Sequence, residues 1–233
     1  MAAQGIIPEI LEDITIEDVL KNFEAHYARK DYPNALLALQ KNHSQLSPGL
    51  WHYNVGTVKA QTQQWAEARF HFLKARQSGF NSEQTSNNLS LSEERLELVK
   101  LEKPLSTKDY LIKGSLWASE GALTTLSLLI LVIAIISLRK KRDYKLASIY
   151  AVLMGIPLLL SLWISSWPQS VVIQPQLVLD GPSVIFPSRA ELPAGIFIVT
   201  RNEGDWKEII YPSRFNGWIK NAGLKSLEKD YEL

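Results

Sequence analysis

The sequence predicts a multidomain α plus β chain with three parts in series: an α-helical solenoid, a two-helix transmembrane hairpin and a small all-β barrel. Three observations predict it. Residue types recur at a spacing of 33–34 in the first hundred positions, the period of a helix–turn–helix solenoid. Two apolar runs, 116–138 and 146–167, flank a short cationic stretch, and each is long enough to cross a hydrocarbon core of roughly 30 Å as a helix. From Val171 onward short β-branched runs alternate with turn residues, the texture of a small all-β domain. The resulting limits are 1–104 for the solenoid, 105–168 for the hairpin and 169–233 for the β domain.

In the solenoid, Tyr32 aligns with Trp65, Ala35 with Ala68 and Leu39 with Phe72, each 33 residues on. A further step of 34 carries Asn54-Val55 onto Asn88-Leu89. Start and stop signals agree with this period. Thr15 and Asp18 form an imperfect capping box, Pro33 and Pro48 suit first turns, and Gly79 suits a helix stop. Ser82 opens a terminal helix running toward Leu101, which Pro104 ends. The second unit, with Tyr53-Asn54-Val55-Gly56, Trp65-Ala66-Glu67-Ala68, Phe72 and Ala75, resembles the tetratricopeptide repeat pattern. In that pattern Gly56 lets paired helices approach, Ala68 fits their crossing and Phe72 fills the layer between units. The first unit departs from it, with Lys30 where a turn glycine is usual and Asn22-Phe23 in place of the Val-Gly step. Such stacks bind peptides or partner helices in a concave groove. Carrying the groove positions over gives Leu20, Glu24 and Tyr27, then Tyr53, Asn54, Thr57 and Gln61, then Asn87 and Asn88. These mixed aromatic and amide residues imply a protein surface as ligand. Asn54 and Asn88 serve equally well as partners of backbone or interhelical groups.

The hairpin reading rests on charge. Arg139, Lys140, Lys141, Arg142 and Lys145 stand against Asp143 alone, and a five-cation loop at 139–145 is costly to translocate. It therefore belongs in the cytoplasm, with both flanking domains in the periplasm of a two-pass inner-membrane protein. Trp117, Trp163 and Trp167 at the outer ends, and Tyr144 and Tyr150 near the turn, suit an aromatic belt against the lipid bilayer. Residues 1–12 show no signal peptide, so either the true start lies upstream, or the tail crosses by another route, or the topology is inverted. The loop charge weighs against inversion.

In the β domain, the turn-rich series Gly181-Pro182-Ser183, Leu192-Pro193-Ala194-Gly195, Gly204-Asp205-Trp206 and Gly217-Trp218-Ile219 resembles a bacterial SH3 domain. Asn216-Gly217 reads as a hairpin signal. Relatives of that kind bind cell-wall peptides or proteins, and Trp206 and Trp218 are candidates for the binding face. Packing of the barrel is the competing role of both, more so for Trp218.

Composition excludes several functions. A net charge of +1 argues against a nucleic-acid partner. The absence of cysteine excludes disulfides, iron–sulfur clusters and thiol catalysis. His26, His43, His52 and His71 lack metal-ligand spacing. Phosphate-loop and nucleophile-elbow motifs are missing, as is a united carboxylate pair. No enzyme and no cofactor are expected.

The order of parts, repeats then hairpin then SH3-like domain, resembles the BatE-type proteins of Bat aerotolerance operons over nearly the whole chain. That resemblance implies a non-catalytic scaffold. Its partners would be membrane proteins with von Willebrand factor A domains and other Bat-type subunits and, indirectly, a MoxR-type AAA+ ATPase. The competing expectation is a peptidoglycan-binding or cell-envelope-sensing protein.

Overall fold

The computed structural model describes residues 15–117, 120–141 and 166–228, together with Lys145, Ile149, Val152, Leu153, Leu159 and Trp163 between them. Contacts divide the chain into two units, 1–92 and 93–233.

The first unit is helical. It contains α1 (Ile16–Ala28), α2 (Tyr32–Lys41), α3 (Pro48–Gln61), α4 (Trp65–Gln77) and most of α5 (Glu83–Arg95), with a 3₁₀ turn at His43–Gln45. Local chemistry fixes the ends. Thr15 and Asp18 make a reciprocal capping box, each side chain bonded to the other's backbone N–H at 3.2 Å. Ser47 accepts from Leu50 N, and Ser82 accepts from Thr85 N. Gly79 follows α4 with φ +87°, a conformation glycine adopts without a Cβ penalty.

The turn inside each helix pair repeats. Lys30 (φ 60°), Gln63 (φ 59°) and Glu97 (φ 56°) are left-handed. Each N–H bonds back three residues, to Tyr27, Ala60 and Glu94. The spacings, 33 and 34, are those of the sequence period. Packing follows the same period. Ala35, Leu39, Ala68 and Phe72 are fully buried. A Cβ on Gly56 would come within 2.8 Å of the Phe72 ring, so glycine is what permits that approach. Val19, Phe23, Leu46, Val55 and Val58 complete the cluster around Ala35 and Leu39.

The terminal helix does not run from Ser82 to Leu101. It breaks at Leu96-Glu97, and α6 (Leu98–Leu101) is only four residues long. The second unit continues with α7 (Thr107–Trp117), α8 (Glu120–Lys141) and seven strands. These are β1 (Gln169–Val172), β2 (Gln176–Leu179), β3 (Ser188–Leu192), β4 (Phe197–Glu203), β5 (Trp206–Tyr211), β6 (Trp218–Lys220) and β7 (Leu224–Ser226).

The expected closed barrel is replaced by one open antiparallel sheet in the order β3-β2-β6-β5-β4-β1-β7, with β3 and β7 at its edges. Its apolar face is completed by helical residues and not by strands closing on one another. Leu98 of α6 is fully buried among Val172, Val178, Leu192, Ile196, Ile198, Ile209, Phe215 and Ile219, with Leu96 and Leu101 beside it. Gly195 (φ +84°) makes room, since a Cβ there would lie 2.4 Å from Leu96. The expected two-residue hairpin at Asn216-Gly217 is instead a longer connection through a 3₁₀ turn at Ser213–Phe215.

The segment leading into the sheet is strapped down by polar contacts. Glu102 accepts from Phe197 N at 2.7 Å, and its carbonyl accepts from the Tyr211 hydroxyl. Asp109, fully buried on α7, accepts from Ser213 N at 3.1 Å and from Ser213 Oγ at 2.6 Å. Ile112 packs with Val199, Ile210 and Tyr211.

Among the described residues, no helix is long and apolar enough to cross a membrane. This overturns the transmembrane hairpin, and with it the two-pass inner-membrane placement with both large domains in the periplasm. Charge limits α8 at both ends. Between Glu120 and Arg139 the uncharged stretch 121–138 measures about 27 Å at 1.5 Å per residue, at the lower limit for a hydrocarbon core of about 30 Å. The helix continues through Arg139, Lys140 and Lys141, so these three do not sit in the expected loop 139–145. Lys145 is helical as well, and Arg142 lies outside the described residues. Most of the second run, 146–167, and the belt positions Tyr144 and Tyr150 also lie outside them. Trp167 is not an interfacial anchor. It packs on the cluster of Ile112, Val199, Ile210 and Tyr211.

Candidate functional site

The sheet carries an open cleft of about 480 Å³ built from three connections. The loop between β2 and β3 supplies Pro182, Ser183 and Val184, and the turn between β4 and β5 supplies Asp205 and Trp206. Lys220 and Asn221, at the end of β6, close the third side. The local sequence explains the shape. At Gly181 a Cβ would stand 2.6 Å from the Phe186 ring, so glycine lets that ring fold back across the loop. The loop is tied by Ser183 N to Gly181 O at 2.8 Å and Phe186 N to Ser183 O at 3.2 Å. Gly204 (φ +60°) turns β4 into β5. Register then pairs Trp206 with Lys220 across the β5–β6 ladder. This brings Lys220 Nζ to 5.5 Å from the Trp206 ring centroid, within cation–π reach.

The two candidate tryptophans therefore differ. Trp206 is half-buried and lines the cleft. Trp218 lies two residues from Lys220 on the same sheet face and pairs with Leu179 and Glu208, but it does not line the cleft. Ile219 between them turns into the core. Nearby, Glu208 is ion-paired with Arg201, and burial lowers the Lys207 ammonium pKa against the opposing pull of Glu228.

The cleft also uses residues that sequence reasoning left out. Asp205 and Pro182 were visible only as parts of turn motifs, and Val184, Lys220 and Asn221 carried no signal. Their place follows from register: once Trp206 faces Lys220, the end of β6 must join the site. That pairing was masked by the apparent Asn216-Gly217 hairpin.

On the helical unit the nine groove candidates divide. Leu20 and Tyr27 pack on the apolar cluster around Val19 and Phe23. The Tyr27 hydroxyl titrates above its ordinary value because of burial, with Tyr32 and Tyr53 adding to the rise and a hydrogen bond with Gln61 opposing it. Tyr27, Tyr53 and Gln61 are thus brought together. Tyr53 lies 5.1 Å from the Phe80 ring and 6.1 Å from Phe72. Thr57 is half-buried, its hydroxyl donating to Tyr53 O at 2.9 Å. Asn54 is buried, and its side-chain Nδ2 has no hydrogen-bond partner. A buried amide donor left open costs about 1–3 kcal/mol, and this one is sealed from solvent inside the helical unit. The Asn88 carbonyl accepts from Ser92 Oγ at 2.7 Å. Glu24 and Asn87 are exposed.

Three of the histidines, His43, His52 and His71, meet around Trp51. His52 and His71 are buried with Nδ1 atoms 2.9 Å apart, so one ring donates and the other accepts. Trp51 packs edge-on against His43, His52 and His71. Among the described residues no group of three or more His, Cys, Asp or Glu side chains is placed to hold a metal.

Comparison of the chain with protein-family models, with curated proteins and with solved structures finds no match.

Proposed function

We propose that this chain is a non-catalytic adaptor that holds segments of partner proteins on two faces, the Trp206 cleft of the sheet and the Tyr27, Tyr53 and Gln61 face of the helical unit. The observation that carries this reading is the cleft itself. Its size is that of a ligand site. Its lining joins an aromatic ring, a cation and a carboxylate to apolar loop residues, and Val184 and Ile185 beside it are 70% and 84% exposed. Such a lining supports binding of a chain segment by stacking and hydrogen bonding. The resemblance noted above supplies the partner class, subunits with von Willebrand factor A domains acting with a MoxR-type AAA+ ATPase, to which any ATP hydrolysis would belong.

The test is affinity purification of the tagged full chain from its native cells, run in parallel with sedimentation against purified peptidoglycan. A von Willebrand factor A subunit that co-purifies with the wild type and is lost with Trp206→Ala supports the adaptor. Retention on peptidoglycan that Trp206→Ala abolishes, with no protein partner, replaces it with the cell-wall reading.

A further inference from the structure

The sheet ends on one side in β3, and no described strand pairs with its outer edge. An open edge is a row of unpaired N–H and C=O groups, which proteins pair, cover or blunt with charge. The inner face of β3 is committed to the core, with Leu192 fully buried and Ala190 packed against the same cluster. The outer face carries Arg189 and Glu191, both exposed, and neither side chain has a partner among the described residues. Leu177, opposite Glu191 in the β2–β3 ladder, is 60% exposed and extends that face.

The run Arg189-Ala190-Glu191 is self-complementary. In an antiparallel pair centred on Ala190, Arg189 of each copy stands opposite Glu191 of the other. Facing Cβ atoms in such a pair are about 4.5–5.5 Å apart, where opposite charges stabilise and like charges destabilise. An edge blunted against its own kind would carry one sign of charge, and this one carries both in the order that closes a two-fold. Pro187 and Pro193 bracket the strand, and neither can donate to a ladder, so pairing is confined to the five residues of β3 and slippage is limited. The same register places the apolar loop before Ser188, with exposed Val184 and Ile185, beside the far end of the second strand at Leu192-Pro193.

We propose that β3 is a homodimerisation edge: a second copy of this chain adds its own β3 antiparallel about Ala190, joining two sheets across a two-fold axis. The interface is isologous and closed, so it stops at two copies. It goes beyond the adaptor reading and does not rest on it.

The test measures the mass of the full chain by sedimentation velocity across a concentration series. The wild type should show a monomer–dimer equilibrium. Glu191→Arg and Arg189→Glu should each raise the dimer dissociation constant at least tenfold when alone. Mixed in equal amounts they should associate again, as a heterodimer. The double swap Arg189→Glu with Glu191→Arg should dimerise like the wild type. Circular dichroism confirms that each variant is folded, as expected for exposed positions. A chain that stays monomeric at every concentration overturns the proposal. So does a dimer indifferent to both single variants, or an association that the mixture and the double swap fail to restore, which would point to a different occupant of this edge.

Discussion

In the helical unit the ties that set each turn reach three to five residues along the chain, as with Thr15 to Asp18, Gln63 to Ala60 and Asp31 to His26. In the sheet unit the ties that complete the fold join residues 95 to 109 positions apart, as with Glu102 to Phe197, Asp109 to Ser213 and Glu102 to Tyr211. Both units bury an apolar cluster, but one is assembled from neighbours in sequence and the other from a helical segment and strands separated by α8. Damage to the first should stay local, whereas damage to the second should act at a distance.

The strongest way to break this contrast is Leu98→Ala. Leu98 is a helical residue, yet its loss should destabilise the sheet by about 3 kcal/mol, within the 2–5 kcal/mol range of buried leucine truncations. Denaturant unfolding followed by tryptophan emission should show the loss, and an unchanged midpoint would mean that α6 is not part of the core. Next in size is Asp109→Asn, which removes the carboxylate acceptor of Ser213 and should cost about 1–3 kcal/mol. It should also change the pH profile. Burial raises the Asp109 pKa, but hydrogen bonds from the Ser213 side chain and from the Leu105, Ser213 and Ser106 groups outweigh it, and the net shift is downward. A carboxyl held below its unfolded value of about 3.8 stabilises the fold above that pH. The contribution fades as pH falls through the lower folded value. Unfolding midpoints measured between pH 2 and pH 6 should therefore slope for the wild type and flatten for Asp109→Asn.

Smaller effects sharpen the helical side. Lys30→Gly and Gln63→Gly relieve a left-handed conformation that costs an L-residue roughly 1–2 kcal/mol. Part of that gain is lost to the freer unfolded chain, so each should raise thermal stability by somewhat under 1 kcal/mol. A fall on substitution would show that the side chain, and not the turn, is what matters there. The smallest stability change belongs to Trp206→Ala, which should leave the melting temperature within a few degrees while weakening partner binding at least tenfold by titration calorimetry.

The same difference in reach explains what was legible in the sequence. The period, the caps at Thr15 and Ser82, and the close approach at Gly56 depend on residue types at short fixed offsets, so they could be read directly. The turn at Lys30 was noticed as a departure, but only the backbone shows that Lys30, Gln63 and Glu97 share one left-handed conformation. The helix from Ser82 was read too long because Pro104 supplied its stop, and nothing local announces the break at Leu96-Glu97 that carries Leu96, Leu98 and Leu101 away from it. Their burial is in a sheet whose strands begin about seventy residues later. Closure of a barrel was inferred from turn motifs, which fix hairpins and say nothing about what covers the remaining edge. The membrane hairpin was read from the length of the two apolar runs and the charge of the stretch between them, whereas among the described residues no helix is long and apolar enough to cross a membrane.

Trp206, a candidate for the binding face, lines the cleft because it follows the Gly204-Asp205 turn at the start of β5. Lys220 was not, because its place depends on a ladder register that the intervening 3₁₀ turn obscures.

The place of Leu98 also bears on synthesis. A ribosome releases this leucine well before it makes Ile198, Ile209 and Ile219, which will surround it. Until then the nascent chain carries Leu96, Leu98 and Leu101 with nothing to shelter them, and exposed apolar segments of that kind are what chaperones hold and what aggregates form from. Slow translation after Gly195 would prolong that interval, so production yield should track elongation rate over codons 195–233 more closely than over codons 15–53.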